Sequence, residues 1–355
     1  MAKPLISVLI DTYNHERFIE KAIVSVLQQD FPETAREIIV VDDGSSDHTP
    51  EIVQQFEPHV RHLRKENGGQ ASAFNAGIPE CQGEIIVFLD GDDFWLPGKL
   101  ARVAEAFAAN PAVGLVGHAI RESLADGSSR ISAPEKDERF LVNSLATARA
   151  FRLRKSFLGT SRMAMRAELA RRIIPVPEAL VIEADEYLFT LAAVLREVLI
   201  LREPLTCYVL HGGNLYVSAG SGTAGLRRKQ SVLAALSAAL GKSLRAHELP
   251  EGIVNCIVEI VQAEADQLRL MLDGGSPWQT FRAEHKVFEV LHGDASRSQH
   301  FFRALSMIPA LLLPPRWFYA GRGWLGKSNW YRSMRKNALP IPQITGVAPS
   351  EEFKN

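Results

Sequence analysis

The chain has 355 residues, 46% hydrophobic and 23% charged, with 40 Lys and Arg against 41 Asp and Glu. Such a composition is ordinary for a globular protein of one large domain or two smaller ones, and a net charge of −1 argues against a general nucleic-acid binder. Cys81, Cys207 and Cys256 form no C-x-x-C pair, which points to a reducing compartment without structural zinc, and no stretch reaches the ~20 apolar residues of a membrane span.

The opening MAKPLISVLID holds an apolar run too short for a signal peptide, so the expected location is the cytoplasm. LISVLI, residues 5–10, reads as a strand and precedes RFIEKAIVSVLQQ, where Phe18, Ile19, Ala22, Ile23, Val26 and Leu27 recur at helical spacing. EIIVVDD, residues 37–43, is followed by the helical TPEIVQQF, with Asp47 or Thr49 as N-cap. After VRHLRKE, a third helix, QASAFNAGIPECQ, is opened by Asn67, Gly68 and Gly69, and GEIIVFLD is the fourth strand. Strand and helix alternating with short links predict a mostly parallel sheet with right-handed crossovers, flanked by helices: a nucleotide-binding type of α/β fold.

That fourth strand runs directly into three carboxylates, Asp90, Asp92 and Asp93. Like charges this close raise one another's pKa unless a cation or solvent lies among them. A solvated acidic turn is the plain alternative. Position favours a site, because the acids hang from the C-terminal end of a buried strand, where open α/β sheets bind ligands. Hard oxygens beside an open site suit Mg²⁺ or Mn²⁺, which keep places for water and substrate phosphates. Strands one and two end in DTYN and DDGSSD, so three strand ends put short polar groups on one rim. There Tyr13 could stack on a base, and Asp43 could accept from a base or ribose donor, while Asp42 reads equally as a ligand or as the cap of the DDGSSD turn.

Taken together, SVLIDTYNHERFIEKAIVSVLQQ, EIIVVDDGSSDHTPEI, ENGGQASAFNAGI and GEIIVFLDGDDFWLPGKL closely resemble the inverting family 2 glycosyltransferases of GT-A fold, in order and over roughly residues 5 to 100. The resemblance implies a nucleotide-sugar donor, with UDP the expected nucleotide, a saccharide or lipid-linked acceptor, and a divalent metal held through the D-x-D motif. It makes Tyr13 and Asp43 base contacts, Asp90 a nucleotide or sugar contact and Asp92 the metal ligand, with Thr12, Asn14, Asn67, Gly69 and Gly91 in the same nucleotide-sugar site. Asp11 departs from the family, which has Pro or another uncharged residue there; it adds a carboxylate at the nucleotide edge.

Single displacement at an anomeric carbon also needs a base for the acceptor hydroxyl and stabilisation of the leaving diphosphate. The family places that base at a helix start, usually as an E-D pair; here VIEADEYLFTLAAVL offers Asp185, with Glu186 and Glu183 as open alternatives. Acids in a first helical turn also complement the helix dipole without any catalysis. His211, just after the strand-like EPLTCYVL, is placed by the family layout near the metal and diphosphate, although a lone His is commonly a satisfied polar residue.

Gly220, Gly222 and Gly225 spell G-x-G-x-x-G, but a helical stretch follows and no β-α-β unit, so a loop before a helix is expected rather than a dinucleotide site. Between residues 100 and 180 a helix and strand precede a surface hairpin or loop at 120–145, and Gly159, Thr160 and Ser161 fall along the acceptor groove of the family layout. The expected organisation is a catalytic domain over 1–225, a helical region over 226–295 that serves as a small domain or dimerisation arm, and a basic aromatic segment over 296–355. Residues 301–340 carry seven Lys and Arg, no Asp or Glu, and interleaved Trp and Tyr, a composition suited equally to peripheral contact at the cytoplasmic membrane face or to packing on the protein. Against transfer stands one other reading, an inactive sugar-nucleotide-binding module of the same fold, hinted at by Asp11 and the missing Glu before Asp185.

Overall fold

The computed structural model describes residues 4–123, 128–209, 222–293 and 296–326. They form two compact units, one containing residues 4–142 and 154–209, the other residues 143–153 and the helices from 222 onward.

The first unit is built on ten strands: β1 (Ile6–Thr12), β2 (Arg36–Asp42), β3 (Arg61–Arg64), β4 (Ile85–Asp90), β5 (Phe94–Trp95), β6 (Val113–Ser123), β7 (Ser129–Ser132), β8 (Glu138–Phe140), β9 (Ala164–Arg166) and β10 (Glu197–Val209). They join in one sheet of order β3-β2-β1-β4-β9-β6-β10-β5, with β7 on β6 and β8 on β10. Strands β1, β2, β3 and β4 pair in parallel, as do β6 and β10; β9 is antiparallel to both β4 and β6, so β1, β2, β3, β4, β6 and β10 point one way. The mostly parallel sheet expected from the sequence is therefore present, and the reversed β9 is its unforeseen element. The hairpin expected at 120–145 is the β6–β7 pair.

Helices α1 (Ile19–Leu27), α2 (Thr49–Gln54), α3 (Gln70–Glu80), α4 (Lys99–Ala109), α6 (Ala167–Ile173) and α7 (Ala184–Leu195) connect or follow these strands, whereas α5 (Leu145–Arg154) belongs to the second unit through residue 153. Both faces of the central strands are covered, as a parallel sheet demands. Ile6, Val8 and Ile10 of β1 share a core with Ile19, Ile23 and Val26 of α1 and Leu100, Val103 and Phe107 of α4. On the other face α3 comes in close through Gly77, where a Cβ would stand 2.5 Å from Leu9 Cδ1 and 2.8 Å from Val41 Cγ2.

In the second unit, α8 (Gly222–Ala246), α9 (Glu251–Asp273), α10 (Pro277–His292), α11 (Arg297–Ser306), α12 (Ile308–Leu312) and α13 (Pro315–Gly326) follow one another. Leu233, Leu236, Leu240 and Leu244 of α8 and Ile253, Ile257 and Val261 of α9 are buried stripes at helical spacing. Helix α10 starts at a capping box formed by Ser276 and Gln279. Glu284 on α10, 2% exposed, accepts from Gln267 at 2.9 Å and pairs with Arg303 at 3.2 Å and with Arg322, which ties four helices together. Helix α8 begins at Gly222, so the last part of the expected glycine loop is already helical; Gly220 and His211 lie outside the described residues.

Candidate active site

Acids scattered along the sequence meet at the carboxyl edge of β1, β2 and β4 and the start of α7. The register of β1 and β4 sets Asp11 opposite Asp90, and Gly91 N donates to Asp11 O at 2.9 Å. A side chain at Gly91 would not fit: its Cβ would stand 2.6 Å from Thr12 Oγ1 and 2.9 Å from His15 Nδ1. Removal from solvent pushes the carboxyls of Asp11 and Asp90 well above the usual carboxylate range; Asp92 and Asp185 raise Asp11 further, and Asp11 and Asp92 raise Asp90. Asp93, 2% exposed, is pushed up to about 8 by burial and then by Asp92, while its Oδ1 accepts from Val209 N at 3.1 Å.

Asp11 Oδ1 and Asp93 Oδ2 are buried without a hydrogen-bond donor. Buried acceptor oxygens lacking donors are costly, and a hard cation satisfies them without a proton. Among the described residues no three His, Cys, Asp or Glu form a preset ligand set. The donor atoms thus fit a cation such as Mg²⁺ or Mn²⁺ that takes one or two carboxylates and completes its shell with water and phosphate oxygens.

Asp185 comes from α7, which the chain enters through Glu183 in the left-handed region at φ +60°. Glu183 is therefore the N-cap and not part of the first turn. Asp185 Oδ2 accepts from Thr160 N at 3.1 Å and Thr160 Oγ1 at 3.3 Å, and Oδ1 accepts from Glu186 N at 2.8 Å. Burial and then the charge of Glu186 raise its pKa. Glu186, 2% exposed, is paired with Lys155 at 2.9 Å. Gln70, at the start of α3, holds this corner together: its Nε2 donates to Thr160 Oγ1 and its Oε1 accepts from Ala184 N, both at 3.0 Å.

The rim expected to receive a nucleotide is rigidly braced. Asn14, at φ +56°, accepts from Ser46 N at 2.8 Å and donates its own N–H to Ser45 Oγ at 2.9 Å, which leaves Tyr13 38% exposed beside Thr12. Asp42 is wholly buried; against burial, which would raise it, the His62 imidazole 3.7 Å away and hydrogen bonding from Ser45 hold its pKa below the usual value. Its Oδ1 accepts from Ser45 N at 2.8 Å, so of the two readings open for Asp42 the turn cap is the one in place. Asp43 accepts from Lys65 Nζ at 2.7 Å, Gly68 N at 3.0 Å and Gly69 N at 2.6 Å, thereby fixing the Gly-Gly entry to α3, and the Asn67 side chain is exposed.

Cations that the sequence gave no reason to single out border the acids. Lys99 is fully buried, donating to Ser161 O at 2.8 Å and Thr206 Oγ1 at 3.0 Å; burial holds its pKa well below the usual lysine range. Ser161 in turn donates to Asp90 Oδ2 at 3.1 Å. Arg162 stands 5.9 Å over the Tyr208 ring, its Nε buried without an acceptor, and its charge lowers the pKa of Asp93 and Asp185. Clefts of about 210 and 230 Å³ lie in the helical unit and include none of these acids, so chemistry rather than volume marks the site.

Residues 7–174 match the family described as Glycosyl transferase family 2. The chain is 34% identical over 229 residues to an uncharacterized glycosyltransferase, alr2836 of Nostoc sp., covering 61% of this chain and 68% of that one. Other curated relatives are matched over only 16% to 42% of their own length. The crystal structure of S. aureus TarS 1-349 with UDP-GlcNAc superposes with a TM-score of 0.58 at 19% identity, covering 89% of this chain and 91% of that one. TarS is named a poly(ribitol-phosphate) β-N-acetylglucosaminyltransferase, and its sequence match is 37% over 92 residues, or 25% of this chain and 16% of TarS. The mannosyltransferase PcManGT of Pyrobaculum calidifontis, with GDP-Man and Mn²⁺, superposes with a TM-score of 0.53 at 20% identity, covering 95% and 85%. At these identities the two structures establish the fold alone.

Proposed function

The chain belongs to glycosyl transferase family 2, the inverting transferases that draw on nucleotide sugars, and on that premise we propose that it passes a sugar from a UDP-sugar to a hydroxyl of a cell-surface polysaccharide or lipid-linked acceptor. The observation that carries the reading is the convergence of Asp11, Asp90, Asp92 and Asp185 at the carboxyl edge of a parallel sheet, where Asp11 Oδ1 and the neighbouring Asp93 Oδ2 are buried without a donor. Tyr13 stacks on the base. Asp43, which accepts from three donors of which Gly68 N is shared between its two oxygens, takes a base or ribose donor as a further partner. Thr12, Asn14, Asn67, Gly69 and Gly91 shape the cradle, and Asp90 contacts ribose or sugar.

Asp92, 8% exposed, would hold the metal, with His211, which lies outside the described residues, as the second residue assigned to it. A Mg²⁺ or Mn²⁺ ion there would supply charge stabilisation for the departing diphosphate. Asp185 takes the proton of the acceptor hydroxyl. Its raised pKa brings it toward working pH, and Thr160 and Gln70 orient it. Glu186, committed to Lys155, tunes Asp185 by its charge and is not a second base. The residues from 1 to 225 carry the transfer, residues 226–295 form a helical region, and residues 296–355, with their basic 301–340 stretch, bring the enzyme to the cytoplasmic membrane face. UDP as the nucleotide rests on the sequence match to TarS, whose crystal structure holds UDP-GlcNAc.

The test is a panel of nucleotide sugars with and without Mn²⁺, read as nucleoside diphosphate released. Metal-dependent release from a UDP-sugar, abolished in Asp92→Ala, is the expected result. Binding without release or transfer under any acceptor marks an inactive module instead.

A further inference from the structure

The second unit exposes apolar side chains in a way the first does not. Seven of the twelve exposed large apolar side chains among the described residues lie between Phe301 and Trp317, on α11, α12 and the start of α13. Phe301 is 62% exposed, Leu312 73% and Trp317 72%. Phe301 and Leu305 are one turn apart on α11, hence on one face. The inward side of the same helices is satisfied: Met307 and Ala310 are buried, and Arg303 and Arg322 pair with Glu284. Exposed apolar side chains gathered on three consecutive helices mark an interaction site.

Charge selects the occupant. From residue 296 to residue 350 the sequence has eight Lys and Arg and no Asp or Glu, in a chain whose net charge is −1. Of these, Arg297 and Arg316 are exposed near the apolar side chains in sequence, Arg316 also donating from Nη2 to Leu272 O at 2.6 Å. A second copy of the chain docked face to face would bring like charges together, which is repulsive. Apolar side chains with interfacial Trp and flanking cations suit a bilayer surface bearing anionic headgroups. No helix among the described residues is long and apolar enough to cross a membrane, so contact is in the plane of the interface.

We propose that the outward face of α11, α12 and the start of α13 is a docking surface for an anionic membrane, with Phe301, Leu312 and Trp317 inserted among the headgroups and Arg297 and Arg316 on the phosphates. This deepens the membrane part of the proposed function by naming the contact, and it uses no catalytic residue.

Flotation of the full chain with vesicles of phosphatidylcholine, alone or mixed with phosphatidylglycerol, tests it. Binding to the mixed vesicles at low salt, weakened by high salt, is expected. The double variant Leu312→Ser with Trp317→Ser binds about a hundredfold more weakly. Arg297→Glu binds about thirtyfold more weakly at low salt, each charge being worth roughly 1 kcal/mol at such a surface. Because these side chains are exposed, melting temperature and donor hydrolysis in solution remain those of the parent, so failure of docking and failure of transfer are read separately. Absence of binding to the mixed vesicles at low salt overturns the proposal, as does unchanged binding by the double variant. Self-association in sedimentation that the double variant abolishes, with no vesicle binding, assigns the face to a second copy instead.

Discussion

Asp11→Asn probes the acidic cluster where it departs from the family pattern. Asp11 and Asp90 face each other on neighbouring parallel strands, ~4.8 Å apart. Two charges at about 5 Å repel by about 3 kcal/mol at an effective dielectric constant near 20. Because removal from solvent raises both pKa values, the folded state holds protons that the unfolded state releases. The stability this contributes is fully present below the unfolded value, near ~4, and is lost as pH rises through the folded values. Without metal, the parent should therefore lose stability between mildly acidic and mildly alkaline pH, and Asp11→Asn should lose up to about 3 kcal/mol less. With Mn²⁺ and UDP the gap narrows, since bound ligand adds about 2.7 kcal/mol at a hundred times its dissociation constant and the parent binds it better. Thermal unfolding across pH, with and without Mn²⁺ and UDP, reads both effects. Identical pH slopes and identical ligand shifts in parent and variant would refute the reasoning, because they would place Asp11 outside the field of the cluster.

Asp185→Asn should lower kcat for transfer by about 10²- to 10⁴-fold, the usual contribution of a general base, with the donor KM little changed; transfer that survives intact removes the base assignment. Glu186→Gln removes a charge that raises Asp185, so the acidic limb of the kcat/KM profile should move to lower pH, and an unmoved or higher limb contradicts the tuning role. Gly77→Ala forces a methyl against Leu9 and Val41 and should destabilise the fold by roughly 1–3 kcal/mol in urea denaturation, without altering donor affinity per folded molecule.

The sequence was most informative where chemistry is local. The β1 to β4 alternation, the acids at the strand ends and the acidic start of α7 all follow from short-range pattern, because apolar runs and caps are properties of neighbours. What it hid depends on contacts between distant segments. Nothing in AMR predicts that β9 reverses between β4 and β6, because three residues carry no periodicity. Gln70 read as an ordinary helix start, and only the fold shows it spanning from Thr160 to Ala184. Ser161 and Lys99 likewise acquire their place at Asp90 through the pairing of β4 with the segment around β9. Asp42, in contrast, sits in DDGSSD, whose turn chemistry was visible and is the role the structure gives it.

Calorimetric titration of UDP into the protein, in Mn²⁺ and then in excess chelator, addresses the grip of the acidic edge on the nucleotide most directly. Binding in Mn²⁺ that disappears with chelator, and that is absent in Asp92→Asn even with Mn²⁺ present, is the predicted result. Equal affinity with and without the cation, or unimpaired affinity in Asp92→Asn, would contradict it.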